Sequence, residues 1–141
     1  MDFIKALKTA NNKSKRRAGT RKYINHGELY FSRLMGYRLI DGVYHPDDRC
    51  SKAILTIFDM LASGSTLAEI KTRLDELKER DSSNNRYSIS KIADLGGRVI
   101  YSGYLQRGLR LIKIKNMIPI ISLEKYRLAQ KQLKKEERKF Q

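Results

Sequence analysis

Apolar residues recur at steps of three and four through Cys50, Ala53, Ile54, Ile57, Phe58 and Leu61, break at Gly64, and resume as Leu67, Ile70, Leu74 and Leu77. That step places side chains on one face of an α-helix, whereas a half-buried strand would alternate. The break therefore separates two amphipathic helices. Asp47 or Asp48 is placed to cap the first, with early carboxylates at its positive end. Gly64 suits the left-handed residue that follows a helix C-terminus. Thr66-Leu67-Ala68-Glu69 has the form of a capping box for the second helix. A polar, turn-rich stretch from Arg80 to Arg86 follows. Ser88 then caps a third helix with Ile89, Ile92 and Leu95 inward. Gly96-Gly97 is expected to end it early, since a glycine inside a helix costs about 1 kcal/mol.

The flanks read differently. Leu29, Tyr30, Phe31, Tyr37, Leu39, Ile40, Val43 and Tyr44 form short β-like pieces, and Asp41-Gly42 between them is a hairpin-turn signal. His45-Pro46-Asp47-Asp48 ends that extended segment. Residues 99–121 are expected to be extended, with Ile112-Lys113-Ile114-Lys115 alternating apolar inward and basic outward. Pro119 confines that region to an edge or a strand end. Ser122 caps a last helix with Tyr126, Ala129 and Leu133 on its core face. The expected fold class is α+β and mostly helical: a helix-turn-helix-like three-helix core, a small β-hairpin or sheet, and a C-terminal helix. The expected organisation is a basic N-terminal arm and helix over residues 1–28, a packed domain over 29–135, and a polar tail over 136–141.

Charge separates along the chain. The formal net charge is +15 over 141 residues. Residues 1–22 hold eight Lys/Arg against Asp2 alone, and residues 98–141 hold twelve against Glu124, Glu136 and Glu137. The middle, 23–97, holds ten basic and eleven acidic residues. Basic ends around a neutral centre favour a polyanion as partner, nucleic acid before an anionic membrane surface. No apolar run approaches the ~20 residues that cross a bilayer. Met1-Asp2-Phe3-Ile4 lacks a secretory pattern, and Cys50 is the only cysteine. A cytoplasmic protein with no internal disulfide is expected.

The binding candidates follow from placement. Lys15, Arg16, Arg17, Arg21 and Lys22 sit in an arm too charged and too poor in apolar residues to pack. It is either an unstructured linker or a segment that orders along DNA. On the third helix Ser90, Lys91 and Asp94 fall off the apolar stripe, with Arg86 and Arg98 flanking it. Either they are only its solvent face, or they meet base edges and phosphates while the helix lies in a major groove. Arg107, Arg110, Lys113 and Lys115 are candidate phosphate contacts on the extended segment.

An ordered set of short motifs spans much of this chain. It begins Gly36-Tyr37-Arg38, Asp41-Gly42 and His45-Pro46-Asp47-Asp48, then Ile54, Ile57 and Phe58. It continues Gly64-Ser65-Thr66, Ile70, Leu74, Tyr87-Ser88-Ile89-Ser90 and Tyr101-Ser102-Gly103, and closes on Pro119-Ile120-Ile121-Ser122, Tyr126 and Ala129-Gln130. In order and spacing this resembles the recombinase domain of the large serine recombinases, the phage integrases and element-excision enzymes of the resolvase/invertase superfamily. The resemblance implies a domain that holds double-stranded DNA and does no chemistry. It also implies that the basic arm runs along DNA, partly in the minor groove. The chain departs from the family pattern at four places. Leu34-Met35 replaces a Pro-Tyr, Tyr87 replaces a tryptophan, Gly96 replaces a leucine, and Arg98-Val99 replaces an Asn-Pro. The Gly96 change is expected to shorten or soften the third helix.

Catalysis finds no support in the residues. The family's catalytic domain needs a nucleophilic serine among arginines, and no room for it exists before residue 36. Ser14, Arg16 and Arg17 lie close in sequence, but a flexible arm cannot preorganise a site. His26 and His45 have no partner at metal-ligand spacing, Glu136-Glu137 reads as a solvated face, and Gly96-Gly97 lacks the residues of a phosphate loop. No enzyme activity of its own, no metal and no cofactor are expected. The expected partner is duplex DNA, with a separate recombinase catalytic subunit as a further option. The alternatives are an RNA- or ribosome-associated basic protein and, below it, an adaptor whose residues 122–141 pack on a partner helix.

Overall fold

A computed structural model of the protein describes residues 24–25, 27–29 and 33–139. The helix expected at residues 3–10, the arm residues Lys15, Arg16, Arg17, Arg21 and Lys22, and Tyr30 and Phe31 lie outside the described residues.

Two short antiparallel hairpins come first, β1 (Ile24–Asn25) with β2 (Glu28–Leu29), and β3 (Tyr37–Ile40) with β4 (Val43–Pro46). Three helices follow: α1 (Ser51–Ala62), α2 (Leu67–Glu76) and α3 (Ile89–Gly96). A 3-10 turn (Val99–Ser102) leads into a third hairpin, β5 (Tyr104–Arg107) with β6 (Arg110–Lys113), and α4 (Leu123–Arg138) closes the described chain. This is the α+β, mostly helical class the sequence implies.

The helix boundaries obey local chemistry. Asp47 Oδ1 accepts from the backbone N–H of Cys50 at 2.8 Å and of Ser51 at 2.9 Å, closing the entrance to α1. After α1, the N–H of Gly64 bonds Leu61 O at 3.0 Å and that of Ser65 bonds Met60 O at 2.9 Å. This crossed pair is a Schellman stop. Thr66 and Glu69 cap each other reciprocally at the start of α2. Ser88 and Ser122 accept from Lys91 and Lys125 N–H, each at 3.1 Å.

One core unites these elements. Ile54, Ile57, Phe58 and Leu61 of α1 pack with Ile70 and Leu74 of α2, Ile92 and Leu95 of α3, and Ala129 and Leu133 of α4. Aromatic rings tie the hairpins to it. Tyr37 of β3 stacks on Tyr101 of the 3-10 turn at 6.2 Å between centroids, and Phe58 meets Tyr101 edge-on at 6.2 Å. Gly36, at φ +91°, precedes Tyr37, and a Cβ there would stand 2.5 Å from Ile54 Cδ1. Only glycine lets the strand approach α1 so closely.

The small β part consists of three separate two-stranded hairpins. Three expectations need correction. Val99–Ser102 is a 3-10 turn and not extended, because Ile100, Tyr101 and Ser102 are buried consecutively, which an alternating strand cannot achieve. Leu77 leaves the stripe of α2: the chain turns at Lys78, whose φ is +57°, and the leucine is exposed. As expected, α3 ends at Gly96 with Gly97 as its cap, and a Cβ at Gly96 would come within 2.7 Å of the buried Leu61 Cδ1, so this glycine is also a contact point between α3 and α1.

Last, α4 continues past residue 135, and Glu136, read as a solvated acid, is 3% exposed. Its Oε1 accepts the Leu67 N–H at 2.6 Å, at the positive end of α2, while Oε2 lies 2.6 Å from Lys139 Nζ. Gln132 Nε2 donates to Ser65 O at 2.9 Å. The last turns of α4 thus fasten the α1–α2 junction.

Candidate nucleic-acid interface

The candidate residues divide by what surrounds their charge. Around α3, basic side chains meet acids. Arg86, just before the helix, forms a two-pronged contact with Asp75 of α2: Nε to Oδ1 at 3.1 Å and Nη2 to Oδ2 at 2.7 Å. That fork holds the Asp75 carboxyl below the usual aspartate range and raises the arginine in turn. Lys71 adds a second cation, 3.6 Å from Asp75, and also donates to Tyr87 O at 2.8 Å. Tyr87, which stands where the family pattern has tryptophan, is fully buried, and its hydroxyl donates to Arg80 O at 3.2 Å.

Arg98, after α3, is largely buried and lies 2.5 Å from Asp94 Oδ2. Its Nε and the Tyr101 hydroxyl have no hydrogen-bond partner among the described residues. Burial raises the Tyr101 phenol to about 12. Asp94 and Arg98 therefore neutralise each other, and α3 presents chiefly Ser90, exposed, and Lys91, half-buried. Eight residues at ~1.5 Å each make a ~12 Å helix, comparable to the width of a major groove.

The third hairpin is built the opposite way. Leu105 and Ile112 face each other and root it in the core. Two residues further out, Arg107 and Arg110 are directly opposed, both exposed, with no acidic partner among the described residues. Like charges facing across a ladder destabilise it. Lys113, opposite Tyr104, and Lys115 are exposed and likewise without an acid.

Beside this hairpin the β1–β2 hairpin is attached. The Lys115 N–H donates to Gly27 O at 2.8 Å, and the Lys115 side-chain carbons flank Gly27. Asn116 holds the junction: Oδ1 accepts from Leu29 N–H at 2.8 Å, and Nδ2 donates to Leu29 O and Gly42 O, each at 3.0 Å. The Tyr44 N–H bonds Asn116 O at 2.8 Å. One asparagine, three residues after the third hairpin, thus bonds both of the first two, and the β1–β2 turn is anchored at Lys115.

Sequence reasoning missed Asn116, for which a lone asparagine gives no signal. It also left out the outer face of α4. There Arg127, Lys131, Lys134, Lys135 and Arg138 are exposed without acidic partners among the described residues. Their spacing of three and four, off the Tyr126/Ala129/Leu133 stripe, was a usable signal. Cys50 is buried, and burial raises its thiol, so it is a core residue and a poor nucleophile. Among the described residues no group of three or more His, Cys, Asp or Glu could hold a metal, and no helix is long and apolar enough to cross a membrane.

Comparison with known proteins agrees with this architecture. A family model described as Recombinase matches residues 49–136. A solved structure described as the crystal structure of an LSR-DNA complex superposes with a TM-score of 0.63 at 20% identity, covering 85% of this chain and 39% of the other. A second, from work on the sequence requirements of the Listeria innocua prophage attP site, gives a TM-score of 0.63 at 20% identity over 85% of this chain and 51% of the other. The protein thus spans 39% and 51% of those two chains. At this identity the likeness establishes the fold. No curated protein matches.

Proposed function

The chain belongs to the Recombinase family, and from that premise we propose that it is a DNA-binding module of a serine-type site-specific recombinase, one that grips duplex DNA and leaves strand cleavage to a separate catalytic domain or subunit. The observation that carries this reading is the contrast in charge pairing. Arg107, Arg110 and Lys113 of one hairpin, and Lys115 just after it, have no acidic partner among the described residues, with Arg107 and Arg110 opposed at a cost to the ladder. A polyanion relieves that repulsion. The superposed structure is of an LSR-DNA complex, which supports the choice of partner.

In this reading the hairpin, Lys91 and Ser90 of α3, and the arm residues Lys15, Arg16, Arg17, Arg21 and Lys22 contact the duplex. The exposed bases of α4 add phosphate contacts. Arg86 and Arg98 hold the α3 region in shape through their acids and contribute little charge to DNA. The module works in the cytoplasm, in integration or excision of a mobile element or in its regulation.

The test is a mobility shift of the full chain on duplex DNA over a salt series. If six to ten phosphates are neutralised, affinity falls by ~10³–10⁵ between 50 and 200 mM salt. Absence of salt-dependent binding at low ionic strength rejects the reading, as does a clear preference for structured RNA. Unaided nicking or rejoining of a plasmid rejects the division of labour.

A further inference from the structure

Leu109 is the most exposed large hydrophobic side chain described, at 103% of its reference area. It occupies the two-residue turn of the third hairpin, in the order Arg107-Gly108-Leu109-Arg110. An isolated surface leucine is ordinary. This one is distinguished by its mounting. Leu105, Ile112 and Ile114 fix the base of the hairpin in the core, and the Ile114 N–H bonds Gly103 O at 2.8 Å.

The turn itself is held. Gly108 takes φ +57°, the positive value that the first position of such a turn requires, and Gln106 Nε2 donates to Gly108 O at 2.6 Å. Nothing approaches it: no atom outside the turn lies within 4 Å of where a Cβ on Gly108 would stand. The result is a core-rooted ribbon ending in one bare aliphatic side chain between two guanidinium groups that have no acidic partner among the described residues.

We infer that this tip is a DNA wedge: Leu109 presses against a base step from the minor-groove side while Arg107 and Arg110 flank it in the groove and on the phosphates, kinking the duplex. The chemistry fits at each point. An apolar side chain inserted between base steps unstacks them and bends DNA by ~20–90°. Arginine suits the negative potential of a narrow minor groove. The repulsion between Arg107 and Arg110 falls only when anions surround the tip. An acidic protein or an anionic lipid surface would also answer the leucine and both arginines; the DNA complex of the superposed structure is what favours DNA as the occupant. The inference rests on the DNA-binding reading and adds to it a deformation of the duplex.

The experiment uses the full chain and a mixed-sequence duplex carrying a donor and an acceptor dye at its two ends. Wild type is expected to raise energy transfer on binding. Leu109→Ala and Leu109→Ser are expected to lose most of that rise. Their salt slope should stay unchanged, and their affinity should shift by no more than about tenfold, because burial of the leucine and unstacking of the step offset each other.

Both substitutions sit on a free surface, and a circular dichroism spectrum equal to wild type confirms that the fold is kept. DNA binding with the same energy transfer in wild type and both variants overturns the wedge alone. A change in the solution mass of the DNA-free chain on Leu109→Ala assigns the leucine to a protein contact and overturns it too. Failure of wild type to bind DNA at all removes the underlying reading, and the wedge with it.

Discussion

The α2–α3 junction and the β5–β6 hairpin carry similar numbers of basic side chains and treat them in opposite ways. At the junction Arg86 and Lys71 converge on Asp75, and Arg98 closes on Asp94. Each of these three cations meets a carboxylate within the fold, whereas Lys91 of α3 does not among the described residues. On the hairpin Arg107 faces Arg110, and no carboxylate among the described residues answers either. Basic residues near α3 are therefore not equivalent to a DNA surface. Those that maintain the helix are neutralised by it. Those left unpaired, at some cost to the ladder, are available to an external anion.

The largest expected effect tests whether the two regions separate into support and contact. Phe58 is fully buried, edge-on to Tyr101 and tilted against Tyr126 with centroids 6.4 Å apart. Phe58→Ala should cost about 3–5 kcal/mol, read as a lower denaturant midpoint. The fraction that remains folded should bind DNA with an unchanged salt slope. A reduced slope would mean that the core sets the charge contacts and that the division is wrong.

Much of the supporting region was legible because its signals are local. The three-and-four spacing of α1, the Gly64 stop, the Thr66/Glu69 box and the Ser88 and Ser122 caps each depend on neighbours within a few residues. The failures are all long-range. Glu136 looked solvated because its partner, the Leu67 N–H, is 69 residues away. Gly96 ends α3 as its sequence implies, but its second part, the close seat against Leu61, is a property of packing and not of sequence. The run 99–121 looked extended because the burial of Ile100, Tyr101 and Ser102 together needs three-dimensional neighbours. The unpaired hairpin bases were legible as candidates, whereas the neutralisation of Arg86 and Arg98 was not. Asp75 belongs to another helix, and Asp94, only four residues before Arg98, was itself taken as a contact.

Single-residue salt slopes should sharpen the contrast. Arg107→Ala and Arg110→Ala are each expected to lower the slope of log affinity against log salt by about 1. Each should also raise stability by a few tenths of a kcal/mol, since it removes a facing like charge. Arg86→Ala should do neither: its slope stays near wild type, and stability falls. Equal slopes for all three variants would erase the distinction between committed and available charge.

The smallest effect is the dependence of the Arg86–Asp75 pair on pH, and its sign is fixed. Arg86 holds the Asp75 carboxyl below its ordinary value in the folded chain. A carboxyl that is more acidic folded than unfolded adds stability above its unfolded pKa, and that contribution disappears as pH falls through the folded one. The gap in denaturant midpoint between wild type and Arg86→Ala should therefore be constant at neutral pH and close in acid, below the ordinary aspartate range. The pair is exposed to solvent, so the gap should also shrink with added salt. Arg107→Ala offers the control. With no carboxylate beside it, its small stabilisation should persist across the same pH window and fade only with salt. A midpoint difference for Arg107→Ala that followed carboxylate titration would reveal an acid paired with the hairpin, and the contrast between the two regions would fail at its root.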